Sequence, residues 1–117
     1  MTETITLATY NANSVRSRLP LIQKWLKEHE PDVLCIQETK VRDEEFPADG
    51  FRDVGYHVVF RGQKSYNGVA IASKEELEDV SRKFRDDEFD EQARYLAGTF
   101  KGIRIVNTYV PQGRSID

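Results

Sequence analysis

The chain has 117 residues, 38% hydrophobic and 32% charged, a composition that suits one soluble globular domain with its own core. Seventeen Lys and Arg against twenty Asp and Glu leave a formal charge of −3, so a phosphate-rich partner must be met by a local basic face rather than by the total. The polar start Met1-Thr2-Glu3-Thr4 does not read as a signal peptide, and no apolar run approaches the ~20 residues of a membrane span; the single cysteine, Cys35, has no disulfide partner in the chain, and a reducing cytoplasm is the expected home.

Residues 5–11 (ITLATYN) read as a first strand. Residues 19–30 predict a helix, with Ile22, Trp25, Leu26 and His29 recurring at three and four positions, Pro20 in its first turn and Pro31 closing it. Residues 33–37 form a second strand, and a strand–helix–strand unit implies that the two strands are parallel. Residues 41–55, with Pro47, Gly50 and Gly55, read as a long connection. Further strands are expected at 56–61, 68–73, 80–84 and 94–100, the last turning through Lys101-Gly102 into 103–110. Two acidic clusters, at 75–79 and 86–91, read as solvated loops between strands.

Val33-Leu34-Cys35-Ile36 and Val69-Ala70-Ile71-Ala72 do not alternate, the signature of strands covered on both faces. A sheet of six or seven strands needs a layer on each side, and the sequence offers one convincing amphipathic helix. The expected fold is therefore α/β, one mixed sheet with a helix on one face. The other face would be left to a second copy or to further chain.

Strand directions gather the polar residues. With the first two strands parallel and 56–61 running with them, the 63–67 turn, the 86–93 loop and the end of the last strand at Tyr109 reach the rim carrying Asn11 and Glu38. The 74–79 and Lys101-Gly102 turns fall at the opposite rim. Ligands of α/β sheets commonly bind outside the carboxyl ends of strands.

The stretches "TYNANSVRSR", "PDVLCIQETK", "GYHVVFRGQKSYNGVAIASK" and "NTYVPQG" together resemble the amino-terminal half of the exodeoxyribonuclease III family. That family lies in the abasic-site endonuclease branch of the endonuclease/exonuclease/phosphatase superfamily. The resemblance runs over nearly all of the chain and implies half of a four-layer α/β/β/α (DNase I-like) sandwich, the carboxyl-terminal half missing. It also implies a DNA-repair phosphodiesterase, dependent on Mg²⁺ or alternatively Mn²⁺. Its partners would be duplex DNA with abasic sites or 3′ ends and the missing half, with no membrane involved.

By the same resemblance Glu38 is the divalent-metal ligand, which suits a cation that takes hard oxygen donors. Asn11 orients the metal site or the attacking water, and Tyr109 hydrogen-bonds the scissile phosphate. Arg16, Lys40, Tyr66, Asn67, Arg94 and Gln112 match positions that grip the DNA backbone, contacts that position a duplex without reading its sequence. Gly68 would let a loop approach a phosphate, and Asn13 stands where some relatives carry aspartate. The family's Gly-Asp-x-Asn segment, further aspartate and terminal Asp-His do not occur in these 117 residues, so the chain alone is expected to be inactive. His29 and His57 sit in the wrong places for catalysis. Two alternatives stand beside the repair nuclease: a catalytically dead fragment that binds DNA or self-associates, and another phosphoesterase of the superfamily.

Overall fold

A computed structural model describes residues 4–62, 67–82 and 93–109. Strand β1 (Leu7–Asn11) leads into helix α1 (Val15–His29) and then β2 (Val33–Gln37), which pairs parallel with β1 from Leu7↔Val33 to Asn11↔Gln37. The helix starts at Val15 rather than Leu19 because Ser14 caps it, its Oγ accepting the Ser17 N–H at 3.4 Å. Pro20 therefore lies inside the helix and not in its first turn. It is tolerated there because Pro20 and Arg16, whose carbonyl loses its partner, are both on the solvent face. The helix ends where Glu30 turns left-handed (φ 46°) and donates its N–H to the Leu26 carbonyl at 2.9 Å, just before Pro31.

The expected long connection at 41–55 contains a 3₁₀ turn (Asp43–Glu45) and a short helix α2 (Ala48–Arg52). No periodicity marks so short a helix. Its order comes from aromatic anchoring: Phe51 is fully buried, and Phe46 stacks on both Phe51 and Phe60. The Gln23 amide donates to the Gly50 carbonyl at 2.9 Å and ties α2 to α1.

Strands β3 (His57–Arg61) and β4 (Val69–Ser73) complete a four-stranded sheet in the order β1-β2-β4-β3. Since β4 is antiparallel to both neighbours, β3 runs with β1 and β2, the direction expected of it. The remaining strands do not extend this sheet. Instead β5 (Glu78–Ser81), β6 (Tyr95–Phe100) and β7 (Ile103–Thr108) form a separate antiparallel sheet in that order. Glu78 and Asp79, read as loop residues, belong to β5, where exposed charges on an edge strand discourage unwanted pairing. The expected strand ends at Phe84 and Val110, and the 86–91 cluster, lie outside the described residues.

The single mixed sheet is thus corrected to two stacked sheets, and the side chains show why. Leu34, Ile36, Ala70 and Ala72 face the helices, packing with Ile22, Leu26 and Phe51. Their neighbours Val33, Cys35, Val69 and Ile71 face the other way, onto Leu77, Leu96, Phe100 and Ile105 of the second sheet. The non-alternating runs are covered on both sides, as they must be, but by the chain's own second sheet. The face expected to be open is closed. Cys35 lies in that layer, and burial pushes its thiol up to about 11, so it is expected to stay protonated and unreactive. Among the described residues no helix is long and apolar enough to cross a membrane.

The end of the fold away from Asn11 and Glu38 is held by Tyr56, which is 4% exposed and donates its phenol proton to the Pro31 carbonyl at 2.6 Å. Burial, then the charges of Glu30 and Asp32, push this phenol up to about 12. A folded value above the unfolded one of about 10 means its stabilising contribution is intact below pH ~10 and drains away as pH climbs toward ~12. We expect a loss of about 2–3 kcal/mol over that window. Denaturant melts across the window would read it, and Tyr56→Phe should remove this component; equal slopes in both proteins would refute the assignment.

Candidate functional site

Five chain segments converge where β1 and β2 end. The Ala12 N–H donates to the Gln37 carbonyl (2.9 Å), Ser14 to Glu38 (2.9 Å) and Val15 to Thr39 (3.0 Å), so the β1–α1 loop lies along the end of β2. From the other side, Lys40 donates to the Asn67 carbonyl (2.9 Å) and Thr39 to Gly68 (3.2 Å), while Gly68 itself donates to Ala93 (2.8 Å). The second sheet joins through Tyr109, whose N–H donates to the Arg94 carbonyl at 2.8 Å. Every loop is bonded to the next.

The backbone at this rim is unusual. Asn13 (φ 48°), Ser14 (99°), Glu38 (57°), Lys40 (60°) and Asn67 (58°) all occupy the left-handed side, as does Gly68 (98°). Asparagine tolerates that region, but Ser14, Glu38 and Lys40 are held there against their own preference by the surrounding bonds, a kind of strain that collects at functional sites.

Asn11 is exposed, and its Oδ1 accepts the Asn13 N–H at 3.1 Å. The Glu38 carboxylate is 22% exposed, with the Lys40 ammonium 3.9 Å away. Lys40 also donates to Asn13 Oδ1 at 2.5 Å. The phenol of Tyr109 faces Glu38 from the second sheet. Desolvation first, then the charge of Glu38 and a hydrogen-bonding interaction with it, raise the phenol's pKa, against a smaller opposing effect from Arg94. Tyr109 therefore stays a proton donor at neutral pH. Arg94 is half-buried and its Nε has no partner among the described residues.

Several expected DNA contacts are placed differently. Arg16 is exposed on the first turn of α1, as a backbone-gripping residue would be. Asn67 is only 6% exposed, serving the inner wall rather than the surface. Gly68 is also buried, and a Cβ there would lie 2.0 Å from Thr39 Oγ1, so the close approach that needs glycine is to Thr39, within the chain. Tyr66 and Gln112 lie outside the described residues. His57 begins β3 at the opposite end, paired with Ser73, and His29 stacks on Trp25 near the foot of α1; neither approaches the rim. The Lys101-Gly102 turn also lies at that far end, where Lys101 reaches Glu75 at 3.4 Å.

One residue escaped the sequence reading. Asn107, 2% exposed, donates from Nδ2 to the carbonyls of Ile36 (2.9 Å) and Ala70 (2.8 Å) and accepts from Gln37 Nε2 at 2.8 Å. Its signal was available: it shares the inward parity of Ile105 on β7, where a polar residue has to be matched.

Among the described residues there is no group of three or more His, Cys, Asp or Glu that would form a complete metal cage. What is present could supply part of a shell for a hard divalent cation: the Glu38 carboxylate just past the end of β2, and the exposed amide of Asn11 at the adjoining end of β1. Mg²⁺ commonly takes one or two carboxylates and fills the rest with waters and substrate oxygens.

Comparison with known proteins agrees with this architecture. The chain is 36% identical over 111 residues to exodeoxyribonuclease III of Haemophilus influenzae, covering 92% of itself and 42% of that protein. An AP endonuclease structure from Archaeoglobus fulgidus superposes with a TM-score of 0.92 at 52% identity, covering 97% of this chain and 44% of the other. A 3′ phosphatase from Neisseria, bound to a product DNA hairpin, gives 0.87 at 40% identity, over 91% and 41%. The chain thus spans less than half the length of these relatives, and its helix–sheet–sheet layers are half of the DNase I-like sandwich. Residues 8–115 match the endonuclease/exonuclease/phosphatase family, and with the fold and rim in accord the chain belongs to it.

Proposed function

We propose that this chain is the amino-terminal part of a single, longer endonuclease domain. The whole would be an Mg²⁺-dependent repair nuclease (Mn²⁺ serving as substitute) that cleaves DNA 5′ to abasic sites and trims or dephosphorylates 3′ ends. The observation that carries this reading is the meeting of Glu38 and Tyr109 at one rim, a carboxylate from the first sheet and a phenol from the second. Relatives named as nucleases and phosphatases of DNA support the substrate class over inositol phosphates or sphingolipids. The buried single cysteine is compatible with a reducing, cytoplasmic setting.

In this reading Tyr109, kept protonated beside Glu38, donates a hydrogen bond to a non-bridging oxygen of the scissile phosphate, where negative charge develops. Asn11 and Glu38 are the residues that would hold a divalent ion at this rim. A bound divalent cation supplies charge neutralisation at the phosphate and a more acidic water. Arg94, Lys40 and Arg16 draw the DNA backbone toward the rim without reading bases, and the salt dependence of binding should reflect them. The proton-accepting carboxylate and the histidine of the family's reaction have no counterpart in the 117 residues.

The isolated chain is therefore expected to show no multiple-turnover cleavage of an abasic duplex with Mg²⁺. Adding the carboxyl-terminal half of a relative should restore cleavage, and Glu38→Gln should abolish that restored activity. Cleavage by the isolated chain that Glu38→Gln removes would overturn the partial-site reading. A complemented protein that cleaves equally well with Glu38→Gln would overturn the role of Glu38.

A further inference from the structure

We propose that Asn107 is the positioning residue that sets Tyr109 against Glu38, by pinning the end of β7 to the ends of β2 and β4. The two sheets otherwise meet through Val33, Cys35, Val69, Ile71, Leu96, Phe100 and Ile105. Apolar contact of that kind is strong but non-directional, and it fixes neither the slide nor the rotation of one sheet over the other. Arg61 and Arg82 bond across the β3 edge and the Gly68 N–H meets the Ala93 carbonyl at the rim, but the buried side chain that bonds both central strands β2 and β4 is Asn107, and it does so where direction matters.

Ile36 and Ala70 are directly opposed partners across β2 and β4, so one amide NH₂ reaches both carbonyls at once. Ile36 stands two residues before Glu38, Ala70 two after Gly68, and Asn107 two before Tyr109. Each arm from bond to rim is thus about 6.6 Å of strand, short enough that a shift at the bond is carried to the rim nearly undiminished. Removing Asn107 would take one bond each from the Ile36 and Ala70 carbonyls and leave the Gln37 amide with Thr9 Oγ1 alone, a loss of buried hydrogen bonds between the sheets.

The same bonds orient the neighbouring amide. Because Ile36 and Ala70 offer only acceptors, Asn107 must turn its nitrogen to them and its oxygen to Gln37. Gln37 then turns its own nitrogen to Asn107 (2.8 Å) and to Thr9 Oγ1 (2.9 Å). That leaves Gln37 Oε1 without a partner among the described residues, an acceptor next in sequence to Glu38. Asn107 thus fixes both the phenol and the amide orientation at the rim, and it touches neither substrate nor ion itself.

The inference rests on reading Glu38 and Tyr109 as the working pair, yet it can be tested without activity. In the isotope-labelled 117-residue chain, nuclear Overhauser contacts between the Tyr109 ring and the Glu38 side chain report their approach. Asn107→Leu should abolish these contacts. Ser73→Ala, which removes another buried hydrogen bond (Ser73 Oγ to the Glu75 carbonyl, 2.7 Å) at the far end of β4, should lower stability and leave them intact. Asn107→Thr, which keeps one donor, should retain weakened contacts, and it carries the test if Asn107→Leu does not fold. Mg²⁺ affinity followed by the Glu38 amide resonance should weaken about tenfold in Asn107→Leu, the scale of outer-partner losses at metal sites, and be unchanged in Ser73→Ala. Undiminished Tyr109–Glu38 contacts in a folded Asn107 variant would overturn the proposal. Loss of those contacts in a chain whose Glu38 never responds to Mg²⁺ would uphold the positioning role while refuting the metal reading.

Discussion

Replacing Phe100 by alanine is expected to cost about 3–5 kcal/mol, the range for emptying a large aromatic site in a core. Domains of this size are stable by ~5–15 kcal/mol, so the variant should be only marginally folded. Phe100 is 1% exposed and packs with Leu96 and Ile105 of its own sheet against the Val33, Cys35, Val69 and Ile71 face of the other. Its removal therefore tests the closure of that face by the chain's second sheet. Val106, on the same sheet but 51% exposed, supplies the contrast: Val106→Ala should fall within about 0.5 kcal/mol of the parent. Urea unfolding of the two variants decides. Similar small effects for both would mean that the second sheet does not cover the first, and the earlier expectation of an open, self-associating face would return.

The expectation of an open face failed for an identifiable reason. Period-two patterning tells how many faces of a strand are buried, and it did so correctly for Val33-Leu34-Cys35-Ile36. It does not tell what buries them. Whether β5 to β7 continue the first sheet or fold over it depends on the path of the chain after Ser73, where Leu77 turns inward beneath Gly98. No local pattern records that path. Helix α2 was missed because a five-residue helix is made by its anchor Phe51 rather than by its own propensity. Helix α1 starts earlier than expected because its start is set by the Ser14 cap, ahead of the apolar repeat from which residues 19–30 are read. By contrast the rim itself was read well, since it follows from strand direction alone. Parallel β1 and β2 bring Asn11 beside Gln37, and β7 running toward the same end delivers Tyr109 to Glu38. Thr39 looks ordinary in sequence and only its burial shows it to be constrained, whereas Asn107 carried a signal in sharing the parity of Ile105.

Gly68→Ala should disturb the part of the rim that carries Glu38. Two separate costs meet at this position. The backbone is left-handed (φ 98°), which an L side chain adopts only with strain of about 1–3 kcal/mol. In addition the new Cβ would stand 2.0 Å from Thr39 Oγ1 and 3.1 Å from the Lys40 nitrogen, so something has to move. What moves is the segment carrying Glu38 and Lys40, because Thr39 is 1% exposed and bonded through its N–H to the Gly68 carbonyl. Gly102 separates the two costs. It has a comparable φ of 82° and nothing within 4 Å of its missing Cβ, so Gly102→Ala carries the strain without the collision. We expect Gly68→Ala to exceed Gly102→Ala by at least ~1 kcal/mol, and Thr39→Ala to recover much of the excess, since residues in direct contact couple by ~0.5–3 kcal/mol. Thr39 Oγ1 is buried without a partner among the described residues, so its removal costs no hydrogen bond and the cycle isolates the collision. The amide resonances of Glu38 and Lys40 should shift in Gly68→Ala and return toward their parent positions in the double variant. Equal costs at Gly68 and Gly102, or a Gly68→Ala chain with an undisturbed Glu38, would show that Thr39 is not the wall against which the glycine was chosen.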